Sequence, residues 1–203
     1  MHDCGKLGVD GIVDPFIQCL RALLRKMPLK RVATYNALKP GTHIGPVVDE
    51  RQLKTDTDYI EIGKKEGAKL AFGGETITRE TPGFYLQPTL FTEATNQMRI
   101  SREEIFGPVV SVIRAKDYDE ALAIANDTPF GLSAGIATTS LKHATHFKRN
   151  AEAGMVMVNV PTAGVDFHVP FGGRKGSSYG PKEQGKYAQE FFTQVKTAYT
   201  AAG

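Results

Sequence analysis

Short apolar segments alternate with segments of helical periodicity along most of this chain. The strand-like segments lie at 69–72, 88–92, 109–115, 133–138 and 155–160, and the helical ones at 49–66, from Asp117 onward and at 140–148. This alternation favours parallel strands joined by right-handed crossovers. We therefore predict an α/β fold with a three-layer sheet. Segment 109–115 is nearly all apolar, so we expect it to be covered on both faces.

An amphipathic helix is also predicted near the start of the chain, at 12–27. Asp14 followed by Pro15 is typical of an N-cap and a first helical position. Residues 21–31 contain five basic side chains and no acidic one. We interpret this cluster as a solvated helix face, because no aromatic residues are interleaved for base stacking. Nucleic-acid binding is the alternative, and a net charge of +3 gives it little support.

The composition indicates a globular, cytoplasmic protein. Apolar residues make up 41% of the 203 positions and charged residues 23%. No apolar run approaches the roughly 18 residues of a membrane span. The first residues lack the apolar stretch of a signal peptide. We therefore expect no membrane partner.

The two cysteines, Cys4 and Cys19, are not part of a Cys-x-x-Cys pair. This excludes a disulfide framework and a common type of zinc site. Cys19 lies close to the apolar stripe of helix 12–27, so we interpret it as a small buried thiol. Cys4 has Lys6 nearby, but no predicted helix terminus that would generate a reactive thiolate.

Three further observations argue against a nucleotide-binding or metal-binding site of a common type. The sequence contains no Gly-x-Gly-x-x-Gly fingerprint. Residues 180–187 imitate a phosphate-binding loop, but Tyr187 stands where Ser or Thr would hold magnesium. His143 and His146 share a predicted helix without a third ligand nearby. We therefore expect no metal site and no nucleotide cradle of the usual kinds.

Two glycine-containing motifs go beyond what core packing requires. The run Glu-Glu-Ile-Phe-Gly-Pro occupies 103–108, and Pro-Phe-Gly-Gly-Arg-Lys-Gly occupies 170–176. The second lies in the segment 161–180, which has five glycines and no helical period. Such a segment in a compact domain usually marks a functional loop. Turn formation alone is the other interpretation of both motifs.

These motifs resemble the C-terminal part of NAD(P)-dependent aldehyde dehydrogenases. Other motifs in the family's order are Asn-Asp-Thr-Pro-Phe-Gly from Asn126, Asn159 after an apolar strand, and Thr-Gln-Val-Lys-Thr at 193–197. The resemblance covers 11–200, and 161–185 is most similar to dehydrogenases of keto-acid semialdehydes such as 2,5-dioxopentanoate. It implies an incomplete αβα catalytic subdomain at 1–190 and an oligomerisation strand and tail at 191–203.

The resemblance also implies roles for individual residues. In the family a cysteine attacks the aldehyde, hydride passes to the nicotinamide, and a glutamate activates water to release the acid. Glu104 matches the acid that binds the nicotinamide ribose, and Phe106 the aromatic beside the nicotinamide. Val165, Phe167 and Phe171 match the wall of the substrate tunnel. A carboxylate can accept hydrogen bonds from both ribose hydroxyls, and residues two apart in an extended segment point the same way.

The family's nucleophile motif, Gly-Gln-x-Cys, has no counterpart in this sequence. The chain start is reached before the motif, and Cys4 is out of register with it. No catalytic residue is therefore assigned. We expect a truncated dehydrogenase that is inactive alone and binds NAD or NADP weakly or not at all. The alternative is a non-catalytic interaction module that pairs with an intact dehydrogenase subunit.

The segment 191–200 is predicted to be a β-strand without a helix to cover it. Phe191, Val195 and Tyr199 would share one face of this strand. Unpaired backbone groups on such an edge are a template for pairing with another chain. We therefore expect self-association, or pairing with a full-length dehydrogenase subunit.

Overall fold

A computed structural model describes residue 38, residues 40–42 and residues 44–203. The helix predicted at 12–27, the basic cluster at 21–31, Cys4 and Cys19 lie outside the described residues. The chain divides into two compact units, with the boundary between Asp117 and Tyr118. Helices and sheets occur in both units, which confirms the predicted α/β class.

The described part of the first unit contains helices and short strands in an irregular order. They are α1 (Glu50–Lys65), β1 (Lys69–Phe72), β2 (Thr76–Ile77), β3 (Tyr85–Leu86), β4 (Thr89–Ala94), α2 (Arg99–Arg102) and β5 (Val109–Ile113). Helix α1 begins after Asp49, whose Oδ1 accepts a hydrogen bond from the backbone N–H of Gln52 at 2.8 Å. Lys64 and Lys65 lie in its last turn, where positive charges interact favourably with the negative end of the helix dipole.

The three-stranded sheet of this unit is mixed, and the all-parallel prediction is wrong for β1. The strand order is β1-β4-β5, with β1 antiparallel to β4 and β4 parallel to β5. Parallel pairing needs a crossover connection, usually a helix. Between β1 and β4 the chain instead forms the antiparallel pair β2-β3. Between β4 and β5 it passes through α2, which permits the parallel arrangement.

The expected burial of β5 on both faces is also wrong, because Val110 is 50% exposed. Strand β5 is the last strand of its sheet. The buried core lies instead among α1, β3, β4 and α2, with Ile60, Leu86, Phe91 and Ile100 at its centre. A Cβ atom at Gly63 would lie 3.1 Å from both the Phe91 and Ile100 side chains. Glycine at this position therefore allows α1 to approach the sheet closely.

The second unit is built on a parallel βαβ element. Its helices and strands are α3 (Tyr118–Asn126), β6 (Ser133–Ile136), α4 (Leu141–Asn150), β7 (Met155–Val158) and α5 (Ala188–Phe192), with short 3-10 helices at Lys175–Ser177 and Gly185–Tyr187. Strands β6 and β7 pair in parallel, from Ser133 opposite Met155 to Ile136 opposite Val158. Ser140 Oγ caps α4 by accepting from the His143 amide at 3.3 Å.

The strand predicted at 191–200 is not formed among the described residues. Phe191 and Phe192 end α5, and 193–203 have no regular secondary structure. Thr193 is in an extended conformation, while Val195 and Tyr199 are 99% and 96% exposed. A strand requires a neighbour for its backbone hydrogen bonds. No described strand pairs with this segment.

Candidate functional site

The motif at 103–108, which we call the acidic turn, connects α2 to β5. Its two glutamates have different surroundings. Arg99 donates from Nε to Glu103 Oε1 and from a terminal nitrogen to Oε2, both at 2.9 Å. The Tyr59 hydroxyl donates to the same Oε2 atom. Glu104 is exposed, and the structure shows no partner for its carboxylate among residues 38, 40–42 and 44–203.

The hydrogen bonds to Glu103 stabilise its ionised form. Those from Arg99 and then from Tyr59 lower the pKa of Glu103 to about 2. The Arg99 guanidinium also lies 5.6 Å from the centre of the Tyr59 ring, in a cation–π arrangement. The carboxylate of Glu103 therefore connects the turn to α1 and α2. Of the two carboxylates, Glu104 is the one free to meet a ligand.

Phe106 lies in the left-handed region of backbone space, with φ of 63°, and is 79% exposed. The prediction that Glu104 and Phe106 point the same way along an extended segment is wrong, because the backbone is not extended at Phe106. A non-glycine residue in this region costs on the order of 1–3 kcal/mol and persists only where its surroundings impose it. Those surroundings include Gly107, where a Cβ atom would lie 2.3 Å from Asp56 Oδ1.

Two residues of α1 also support the turn, and neither was predicted from the sequence. Gln52 Nε2 donates to the Ile105 carbonyl oxygen at 2.8 Å and to Asp56 Oδ1 at 2.7 Å. Asp56 is fully buried, and burial raises the pKa of its carboxyl, against a smaller lowering by Gln52. A sequence signal existed, since an acid one helical turn before Ile60 falls on the buried side of α1.

The second unit carries the residues matched to the substrate tunnel. Phe171 is partly buried, and its backbone pairs with Glu183 through two hydrogen bonds of 2.7 and 2.9 Å. Val165 is partly buried, whereas Phe167 is 85% exposed and its ring lies 5.5 Å from that of His168. The loop that carries these residues, 161–183, is called the tunnel loop below.

A lysine closes the tunnel loop against the start of β7. Lys182 Nζ donates to the Gly154 carbonyl oxygen at 2.9 Å and to that of Gly172. Burial, and secondarily the charge of Arg174, lower the pKa of Lys182. A Cβ atom at Gly154 would lie 2.0 Å from the Gly172 oxygen. Gly154 therefore lets the start of β7 and the loop approach within backbone contact.

Two asparagines from the motifs that resemble the family bind the backbone of neighbouring segments. Asn126 Oδ1 accepts from the Glu152 amide at 2.8 Å, and its Nδ2 donates to the Asn150 carbonyl at 2.9 Å. Asn159 pairs with both backbone groups of Thr138, at 2.8 and 2.9 Å. These asparagines position the ends of α3, α4, β6 and β7.

The two histidines of α4 belong to a helix–helix contact. His143 stacks on Tyr118 with ring centres 4.3 Å apart, and His146 Nδ1 lies 2.9 Å from the Tyr118 hydroxyl. Among the residues that the structure describes, no group of three or more His, Cys, Asp or Glu could hold a metal ion. Within the same residues, no helix has the length and apolar character to cross a membrane.

Comparisons with known proteins agree with these features. The model of the aldehyde dehydrogenase family matches residues 9–198. The chain is 44% identical over 190 residues to a 2,5-dioxopentanoate dehydrogenase of Saccharolobus solfataricus, covering 92% of this chain and 38% of that protein. It is 42% identical over 172 residues to an alpha-ketoglutaric semialdehyde dehydrogenase of Bacillus subtilis, covering 84% and 35%.

Solved structures show the same relationship. An NAD-dependent aldehyde dehydrogenase of Sinorhizobium meliloti superposes with a TM-score of 0.83 at 37% identity, covering 92% of this chain and 36% of that one. A Staphylococcus aureus betaine aldehyde dehydrogenase in complex with NAD+ gives 0.79 at 31% identity, covering 87% and 34%. The chain thus spans little more than a third of these relatives. It is a member of the aldehyde dehydrogenase family.

Proposed function

We propose that this chain is a C-terminal portion of an NAD(P)-dependent aldehyde dehydrogenase, and that it supplies the nicotinamide-ribose contact and part of the substrate tunnel. The observation that carries the proposal is the difference between the two glutamates of the acidic turn. Glu103 is held by Arg99 and Tyr59, whereas Glu104 is exposed. A free carboxylate can accept charge-assisted hydrogen bonds from both hydroxyls of a ribose diol.

The remaining site residues fit roles in binding and orientation. Phe106 offers an exposed aromatic ring to the nicotinamide side, and Val165, Phe167 and Phe171 would contribute apolar side chains to the wall that orients the aldehyde. Bound NAD(P)+ supplies the hydride acceptor. The nucleophile and the general base belong to family segments that this sequence does not reproduce, so the chain alone is inactive.

Cofactor affinity of the chain alone follows from the same residues. Two contacts cannot offset the entropy of immobilising a flexible dinucleotide. The dissociation constant for NAD or NADP is therefore millimolar or weaker, on the order of 4 kcal/mol of binding free energy or less. Calorimetry tests this point directly.

The proposed substrate is the semialdehyde of a keto acid, in a cytoplasmic setting. Its support is the 44% identity to the 2,5-dioxopentanoate dehydrogenase and the 42% identity to the alpha-ketoglutaric semialdehyde dehydrogenase. Both proteins are named for aldehydes that carry a carboxylate.

Fragment complementation provides the test. The chain alone should reduce neither NAD nor NADP with a panel of aldehydes, because enzymes that lose nucleophile and base lose many orders of magnitude in rate. Co-expression with the missing N-terminal part of the Saccharolobus solfataricus relative should restore reduced-cofactor absorbance with 2,5-dioxopentanoate. In that assembly Glu104→Gln should raise the KM for NAD by roughly tenfold, the value of one hydrogen bond to a charged group.

Glu75→Gln is the control, since Glu75 is exposed in the same unit and its described contact is through its backbone carbonyl. Equal effects of the two substitutions would contradict the role of Glu104. Turnover by the chain alone that Cys4→Ser abolishes would restore Cys4 as a nucleophile and overturn the proposed inactivity.

One observation favours the second candidate, an interaction module that pairs with an intact dehydrogenase or with itself. Residues 193–203 follow α5 without regular structure, and Val195 and Tyr199 are almost fully exposed. Unpaired backbone and exposed apolar side chains favour strand addition to another chain. Light scattering should therefore show self-association at micromolar concentration, reduced by deleting 191–203. A monodisperse full chain that the deletion leaves unchanged would contradict this candidate.

A further inference from the structure

Asp56 is a buried acid that the proposed function does not use. Its side chain is 0% exposed on α1, and Oδ2 has no hydrogen-bond partner among the described residues. A buried polar atom without a partner costs about 1–3 kcal/mol. An apolar side chain at this position would avoid that cost, so the benefit of Asp56 has to come from its other contacts.

Those contacts lead to the acidic turn along one path through Gln52. The Gln52 amide nitrogen has two hydrogens, and both are used: one on Asp56 Oδ1 at 2.7 Å and one on the Ile105 carbonyl oxygen at 2.8 Å. A glutamine side chain has several rotatable bonds, so one hydrogen bond alone fixes it poorly. The second bond, to a carboxyl held within α1, orients the amide toward Ile105.

A second path leads directly to Gly107. A Cβ atom there would lie 2.3 Å from Oδ1 and 2.4 Å from Oδ2 of Asp56, so the Gly107 backbone rests against the carboxyl. Ile105 and Gly107 flank Phe106, whose φ is 63°. The Asp56 carboxyl is thus linked to the residue on either side of the left-handed one.

We propose that Asp56 is a positioning residue for the acidic turn, acting on Ile105 through Gln52 and on Gly107 by direct contact. It holds Phe106 in its left-handed conformation and thereby fixes the spacing between Glu104 and Phe106. The relevance to the nicotinamide ribose rests on the proposed function, while the structural link does not. A contact held in one geometry before binding loses less entropy on binding.

The chain provides a clean reporter of this link because it contains no tryptophan. Phe106→Trp therefore places a single indole on the turn, at a side chain that is 79% exposed. Time-resolved fluorescence anisotropy at submicromolar concentration measures how freely this residue moves on the nanosecond timescale. The full chain with this substitution is the reference for four further variants.

The variants separate positioning from packing. Asp56→Leu removes the acceptor and keeps the branched shape of the side chain, and Gln52→Met removes the link at a half-buried side chain without adding bulk beside Gly107. Each should about double the anisotropy amplitude lost in the nanosecond phase. Asp56→Asn keeps an acceptor for Gln52 and should rescue the reference value. Asp58→Asn is the matched control, because Asp58 lies on the same helix in an exposed ion pair with Lys54.

A urea midpoint measured on each variant distinguishes local from global effects. Asp56→Leu should keep or raise the midpoint, since it removes an unsatisfied buried atom, and still loosen residue 106. If Asp56→Leu does not fold, Gln52→Met carries the same comparison. Unchanged anisotropy in both, or an equal change in Asp58→Asn, would overturn the proposal. The readout needs no cofactor, so failure of NAD binding in the complemented assembly would be a separate result.

Discussion

The acidic turn and the tunnel loop both carry residues matched to ligand contacts, but they are held in place by different means. The acidic turn is held by side chains of two helices: Gln52 and Tyr59 of α1 bind the Ile105 carbonyl and Glu103, and Arg99 of α2 also binds Glu103. The tunnel loop is held mainly through its backbone. Phe171 pairs with Glu183 in both directions, and Lys182 spans the carbonyls of Gly154 and Gly172.

This difference determines which substitutions each region tolerates. A segment held by side chains responds to changes in the helix that supplies them, even 53 residues away, as between Gln52 and Ile105. A segment held by backbone contact responds to added volume at its glycines. Apart from Gly107, the acidic turn should therefore be sensitive to the replacement of polar side chains in α1. The tunnel loop should be sensitive to any Cβ atom added at the glycines where its backbone is closest to other backbone.

The largest effect is expected from Gly154→Ala. The added Cβ would lie 2.0 Å from the Gly172 oxygen and 2.5 Å from Lys182 Nζ, and the first of these is backbone that cannot rotate away. Separating β7 from the loop should cost roughly 3 kcal/mol or more in the free energy of unfolding. Urea denaturation followed by circular dichroism measures it.

Gly164→Ala is the control for Gly154→Ala. Gly164 lies in the same loop with φ of +85°, yet nothing lies within 4 Å of its added Cβ. Backbone strain alone should cost about 1–2 kcal/mol there. Equal losses in the two variants would show that the tunnel loop is not held by close backbone approach.

An intermediate effect is expected from Lys182→Met, which keeps an aliphatic side chain and removes the hydrogen bonds to the Gly154 and Gly172 carbonyls. Two partly buried carbonyls lose their partner, at a cost of about 1–3 kcal/mol. Lys186→Met, at an exposed position in the 3-10 helix that follows the loop, should stay within about 0.5 kcal/mol of the parent. If Lys182→Met is equally mild in urea denaturation, the lysine does not hold the loop.

Lys182 also gives this comparison a pH dependence. Burial and Arg174 lower its pKa below 10.5, so the folded chain releases this proton before the unfolded chain does. The stability of the parent relative to Lys182→Met should therefore rise with pH in the window that ends at 10.5. A neutral amine still has two hydrogens for the two carbonyls, so the contact survives deprotonation.

Much of the fold follows from local sequence signals. The helical segment predicted at 49–66 matches α1 to within a residue at each end, and the one predicted at 140–148 begins one residue before α4. The antiparallel placement of β1 was not predictable in the same way. It depends on the pair β2-β3, whose strands have two residues each and therefore no periodicity.

The site shows the same limit. Sequence resemblance points to Glu104 and Phe106, and the only local signal that separates the two glutamates is the spacing of four residues between Arg99 and Glu103. The difference arises because Tyr59 and Arg99 meet Glu103 in three dimensions. The left-handed Phe106 is likewise imposed by tertiary contacts, since phenylalanine has no intrinsic preference for positive φ.

The smallest effect is expected from Glu103→Gln, which tests whether the acidic turn depends on its ion pair or only on the buried link through Gln52. Arg99 and Tyr59 lower the pKa of Glu103 from 4.5 to about 2, so the stabilisation is present above pH 4.5 and is lost as the pH falls toward 2. Both partners are exposed, 52% for Arg99 and 41% for Glu103, and solvent screens the pair.

Thermal midpoints of the parent and of Glu103→Gln should therefore differ little at neutral pH and converge below pH 4.5. Glu104→Gln should retain the acid dependence of the parent, because Glu104 is exposed and forms no ion pair with Arg99 or Tyr59. Parallel midpoint curves for the parent and Glu103→Gln down to pH 2 would mean that the ion pair contributes nothing, leaving the buried side chains of α1 as the support of the turn.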